Sequence, residues 1–328
     1  MRQLTVQEIA RISSGFGHAV GPLLEVGPGG QVLLFASVSD GSELQCWDIR
    51  TGVRLWSDGA GTPGCNDKAL VRLPDGGLSL AVATEDGVEW WDALTGLHRP
   101  EFSWEGWTIW ALSTGELADG LPVLLGAGQD GAVYRWNGIS GEPLEARQEV
   151  PDSANSVMAV GFVPLPFGKG VIVSGDEAGR LQRWDLDTGS PLGAPTVGHA
   201  SKVRIIKALP DAASGSLFVS SDQEGNLQRW DSVTGTPVGP QIETGTEVFS
   251  VEVASVDEVS LLFAAGADEF VRAWDMETGE SISLSARGVV ISVLSRSDGT
   301  MLLAVGTTRG EMIVYECALS NSDLSPGD

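Results

Sequence analysis

The stretch GAGQDG sets Gly126, Gly128 and Gly131 in the spacing GxGxxG, which binds dinucleotide phosphates when a helix begins at its end. The N-terminal N–H groups of that helix would face the pyrophosphate. Here the chain continues as AVYRWN, a strand pattern, so the glycines read as a tight turn without a phosphate cradle. DLDTG at 185–189 opens like a calcium loop, but the remaining oxygen ligands and the closing Glu are missing. His18, His98 and His199 come without HExxH, and no GxSxG marks a nucleophile. His98, in LHRP, reads as solvated. Cys46, Cys65 and Cys317 form no CxxC pair, which argues against both a zinc knuckle and a disulfide framework. Cys46 reads instead as a small buried hydrophobe. The sequence therefore names no catalytic residue, no metal ligand and no cofactor site.

Binding chemistry is concentrated in EFSWEGWTIW, where Trp104, Trp107 and Trp110 fall within seven residues. Aromatic residues of this kind are enriched at binding hot spots. Trp110 lies inside a strand pattern and reads as core; Trp107 stands just before it, and Trp104 lies in the preceding loop.

A periodic framework positions these side chains. LQRWDLDTGSPLG at 181–193 returns as LQRWDSVTGTPVG at 227–239, and weaker forms extend in both directions. The anchoring aromatics are Trp47, Trp91, Trp136, Trp184, Trp230, Trp274 and Tyr315, spaced by 44, 45, 48, 46, 44 and 41 residues. Seven units in phase are a repeat array. Within the fifth unit, KVRIIKAL, SLFVSS and LQRWD read as strands separated by turn signals, with a short polar outer strand in TPVGPQI. Four strands per unit make an antiparallel meander, and stacking such sheets buries faces that one sheet leaves wet. The array therefore closes into a ring.

With Trp–Asp at 47–48, 91–92, 184–185, 230–231 and 274–275, Thr–Gly turns beyond, and Gly–His at 17–18 and 198–199, residues 3 to 318 resemble the WD-repeat β-propellers. The resemblance implies an all-β, seven-bladed propeller of four-stranded antiparallel blades. It also implies a hydrogen-bonded tetrad in the best-kept repeats. Carried over, one tetrad is His199, Ser220 and Trp230 with Glu224 or Asp222 as the carboxylate; the other is His18, Ser37, Asp40 and Trp47. His, Ser and Asp together also look like a hydrolytic triad, but the Trp belongs to the cluster and the order follows the repeat, which favours a structural role. The seventh unit lacks a fourth strand, and the strand-like Gln3–Ile9 has no unit of its own. We expect it to complete the last blade, leaving residues 319–328 as a polar disordered tail of a single domain, 1–318.

The net charge of −24 repels phosphate backbones and anionic lipid, so neither nucleic acid nor a membrane is an expected partner. No apolar run approaches the 18 or so residues of a membrane span, and the N-terminus lacks the apolar core of a secretory signal. With unpaired cysteines, this points to the cytoplasm; the Arg-rich, Lys-poor basic set has a bacterial look. The family resemblance implies a non-enzymatic, monomeric platform for protein partners. The alternative is a propeller that binds or acts on a small molecule or peptide at its central channel. Aligning the repeats places Lys68, Trp107, Asn155, Lys202 and Glu247 at the loops that lead into the inner strands, with Trp104 nearby. Lys68 and Lys202 are two of only four lysines, so this rim is expected to attract an anionic group on a partner.

Overall fold

A computed structural model of the chain describes residues 2–13, 19–38, 43–58, 65–144, 148–150, 155–166, 169–209, 216–256 and 259–321. Seven four-stranded antiparallel sheets form the blades of a β-propeller. Lettering each blade a to d from the centre outward, the a strands are Ala19–Val26, Asp67–Arg72, Ile109–Glu116, Val157–Pro164, Val203–Leu209, Val248–Val256 and Val290–Ser295. All seven line one central bore, a cavity of about 280 Å³.

The b strands are packed on both faces by neighbouring blades. Every residue of Leu78–Thr84, Pro122–Gly128 and Gly170–Asp176 is buried, which is why these strands are largely apolar, broken only by the buried polar groups Ser79, Thr84, Ser174 and Asp176. The repeat tryptophans fill the seams between blades. Trp136 packs with Val71, Trp90 and Ile109 between blades 2 and 3, and Trp184 packs with Val123, Val160 and Ile172 between blades 3 and 4. At the seam of blades 4 and 5 the a strands approach so closely that a Cβ on Gly161 would meet Ile206 Cγ2 at 2.6 Å. His98 is exposed on an outer segment, with its ring 4.8 Å from that of Trp91.

The seventh blade is closed by the other end of the chain. Its c strand, Glu311–Asn321, pairs with the N-terminal strand Arg2–Ser13, from Arg2 opposite Asn321 to Ser13 opposite Glu311. This strand is longer than the expected Gln3–Ile9, and a bulge between Glu8 and Ala10 turns Ile9 outward. The c strand likewise continues past Ala318, because Leu319 and Ser320 find partners in Leu4 and Gln3. Residues 322–328 lie outside the described residues.

Three arginines that the sequence reading passed over tie successive blades together. Each precedes a repeat Trp: Arg135, Arg183 and Arg229. The Arg135 guanidinium donates to Leu186 O of blade 4, Arg183 to Ser232 O and Val233 O of blade 5, and Arg229 to Met276 O of blade 6. These carbonyls belong to the turn after the next blade's Trp–Asp pair, so every staple has the same geometry. Charge-assisted bonds at such sites contribute about 1.5–3 kcal/mol. Arg229→Met, which keeps the stem and removes the donors, is expected to lose that much in urea unfolding; an unchanged midpoint would rule out the staple.

Candidate functional site on the top face

The face on which the a strands begin, here the top, carries a place where side chains from several blades converge. In blades 3, 4, 5 and 6 the a strand is bulged at the same point, between Ile109 and Ala111, Val157 and Ala159, Val203 and Ile205, and Val248 and Ser250. A bulge inserts an unpaired residue and re-aims its side chain. The four residues so released are Trp110, Met158, Arg204 and Phe249, and all four line a depression of about 310 Å³ at the mouth of the bore. Blade 2 adds Asn66 and Asp67, and Ile205 completes the wall. Trp110, expected to be core, is half-buried here because the bulge turns it towards the mouth.

At and below this mouth the bore is charged, and two of its cations are ion-paired. Arg204 lies 3.1 Å from Glu247, and Lys207 Nζ donates to Glu252 at 2.9 Å. Burial pulls the Lys207 ammonium down, but Glu252 and Asp67 outweigh it and hold the pKa above its ordinary value. Asp67 is raised by burial, although it accepts the backbone N–H groups of Leu112 and Lys68, both at 2.8 Å. The first of those bonds joins blade 2 to blade 3, so this carboxylate fastens the ring.

The expected partner residues divide into three groups. Trp107 stands free on the top face, 53 % exposed, and Phe249 joins it at 45 %. Asn155 and Lys202 are half-buried just before their a strands, and Glu247 is engaged by Arg204. Trp104 and Lys68 are placed elsewhere. Trp104 is half-buried against Tyr134 and Trp136, with ring centroids 4.8 and 5.4 Å away, because its short strand wedges it into a seam. Lys68 points into the bore and donates to Ser37 Oγ at 3.2 Å. The rim therefore lacks the expected pair of lysines.

Phe270, also on the top face, was not singled out from sequence. It is exposed beneath the Arg287 guanidinium, 4.3 Å from the ring centre. It follows Glu269, whose φ of 62° occupies a turn position held by Gly131, Gly179, Gly225 and Gly310 in other blades. Glu269 accepts a bond from Thr308 of blade 7 at 2.8 Å. A left-handed non-glycine residue costs about 1–2 kcal/mol, so blade 6 presents Phe270 on a strained turn.

The His199 cluster lies deeper. His199 Nε2 is 2.6 Å from Ser220 Oγ, which accepts from Trp230 Nε1 at 2.8 Å. The carboxylate is Asp222, whose Oδ2 is 3.4 Å from His199 Nδ1; Glu224 is exposed in the turn beyond. Asp222 is anchored by the backbone and side-chain N–H groups of Asn226. Burial lowers the His199 pKa despite Asp222, so the ring is neutral, with Nδ1–H facing Asp222 and Nε2 accepting from Ser220. All three side chains are buried and Ser220 Oγ is engaged by Trp230, so no substrate can reach the hydroxyl. Blade 4 repeats part of this arrangement, with Trp184 Nε1 donating to Ser174 Oγ at 3.2 Å.

In the first blade, His18 and Asp40 lie outside the described residues. Ser37 is one position out of register: Ala36 stands opposite Gln45, where Ser220 stands opposite Gln228. One step along a strand reverses the face. Ser37 therefore meets Lys68 of blade 2, and Trp47 Nε1 bonds Gln45 Oε1 at 3.2 Å.

No protein-family model matches the chain, and no curated protein sequence matches it. Solved structures share its fold. One is the computationally designed Ika8 protein, at a TM-score of 0.62 and 17 % identity over 94 % of this chain and 99 % of that chain. Matches run to 1667 solved chains, so the fold by itself selects no single activity.

Proposed function

We propose that this propeller is a WD-repeat-type, non-enzymatic platform that holds a protein partner on its top face. The observation that carries this reading is the convergence of Trp110, Met158 and Phe249 in the bore mouth, released by bulges in blades 3, 4 and 6, with Trp107 exposed outside it. A cup with a soft aromatic and Met wall and a few polar groups, beside an exposed aromatic anchor, is the chemistry of an interface hot spot. Asp67 is bound to two backbone N–H groups and braces two blades, a structural rather than catalytic use of the one raised carboxyl in the mouth.

Truncating an anchoring aromatic costs roughly 2 kcal/mol or more, about a thirtyfold loss of affinity. Affinity capture from the native cell should therefore lose its partner when the bait carries Trp107→Ala or Phe249→Ala, with melting curves unchanged. A partner retained equally by both variants would overturn the reading. The cup's own size favours a second one, a small molecule or peptide confined to the mouth. That reading requires Phe249→Ala to abolish binding and Trp107→Ala to leave it intact.

A further inference from the structure

We infer that the partner segment carries a large apolar side chain flanked by basic residues, the apolar group seated in the bore mouth and the cations resting on the turns around it. This deepens the platform reading and rests on it. The mouth supplies the first half. Trp110, Met158, Ile205 and Phe249 form the apolar wall of a cup of about 310 Å³, with Asn66, Asp67 and Arg204 on its polar side; it is at the small end of ligand pockets and suited to one bulky side chain. Two of the cations at and below the mouth, Arg204 and Lys207, are paired with Glu247 and Glu252, and Lys68, deeper in the bore, donates to Ser37 Oγ.

The surrounding turns supply the second half. Turns between b and c strands stand beside the starts of the a strands: Glu177 N bonds Ser156 O, Gln223 N bonds Lys202 O, and Ala267 N bonds Glu247 O. They expose Glu85 and Asp86 in blade 2, Glu177 in blade 4 and Glu224 in blade 5, while Glu105 is exposed next to Trp107. None of these five carboxylates forms an ion pair among the described residues. Of the basic side chains on this face, Arg180 and Arg272 are held by Asp176 and Asp268, and Arg287 lies over the Phe270 ring. Lys202 stands in blade 5 and Arg309 in blade 7, so the acidic turns of blade 2, with Glu85, Asp86 and Glu105, carry the main negative charge. Acidic turns alone would serve solubility on a chain of net charge −24. Standing beside the cup in blades 2, 4 and 5, they define where an oppositely charged segment settles, because attraction between groups within a Debye length survives physiological salt.

A random heptapeptide library selected on the intact chain tests this. The enriched pool should show a central Leu, Met, Phe or Trp with Lys or Arg on both sides. A capped peptide from that pool should bind at least about tenfold more weakly when its anchor is changed to Ser, or when the chain carries Phe249→Ser. The triple variant Glu85→Gln, Asp86→Asn, Glu105→Gln should weaken it several-fold at low salt, with a smaller effect at high salt. The bottom-face triple Asp119→Asn, Asp187→Asn, Glu277→Gln removes as many charges and should change little. A pool without basic flanks or without an apolar anchor, no enrichment at all, or equal losses from the two triples overturns the inference. Neutral or acidic peptides that still depend on Phe249 would sink this charge assignment and leave the platform standing. Retention of the native partner by both Trp107→Ala and Phe249→Ala would remove the platform itself.

Discussion

Deleting Met1–Ile9 is expected to make the chain aggregate or to lower its melting temperature by about 10 °C. The deletion removes the strand that pairs with the c strand of blade 7 and uncovers a long sheet edge, a template for pairing with other chains. Leu4, buried with Met301, Leu303 and Cys317, loses its place in the core, at about 1.5–3 kcal/mol. Arg2 leaves Asp275, a carboxylate with only 3 % of its side chain exposed, at a further cost of about 1–3 kcal/mol. Asp275 belongs to the Trp–Asp turn of blade 6, so the N-terminal strand holds two blades. Losses of this size are a large part of a domain's usual stability. A soluble truncated chain with an unchanged melting curve would show that the closure contributes nothing.

His199→Ala is expected to cost roughly 1–3 kcal/mol, because it takes a hydrogen-bond partner from buried Ser220 and from buried Asp222. It should also remove part of the protein's acid sensitivity. The folded His199 pKa is lowered, first by burial, so the unfolded chain binds this proton more readily. Stability from the neutral ring is therefore complete above the ordinary histidine value of about 6.5 and is lost as pH falls below it towards the folded value. Asp67, raised by burial, acts in the opposite sense: its contribution is present at low pH and fades as pH rises through its folded value. Comparing wild type with His199→Ala cancels Asp67 and isolates the histidine. Urea unfolding at pH 7.5 and pH 5.5 should show wild type losing more stability than the variant. Equal losses would mean that the ring is not held neutral by the fold.

The closure was legible in the sequence because a repeat one strand short needs a strand from elsewhere, and the chain offers one at its other end. The seven-bladed count, the order of strands and the burial of the repeat tryptophans follow from period and residue type, since a meander of alternating strands has few ways to bury its faces. Register decided what the period could not. Ser37 looked equivalent to Ser220, yet a one-residue difference in pairing turns it to the opposite face and towards Lys68. Asp222 and Glu224 were equal choices on paper; pairing with Val203 draws Asp222 into the seam and leaves Glu224 in the solvent-exposed turn.

The bore mouth shows the same division. IWA, VMA, VRI and VFS recur at the start of four a strands, and their middle residues look unrelated. Only the bulge in each strand aims Trp110, Met158, Arg204 and Phe249 at one point, and only ring closure brings blades more than a hundred residues apart in sequence to the same cup. The sequence by itself determined the repeat, the blades and their buried faces, because these depend on local periodicity. The tertiary structure alone decided which side chains meet, because that depends on pairing offsets of one residue and on contacts made across the closed ring.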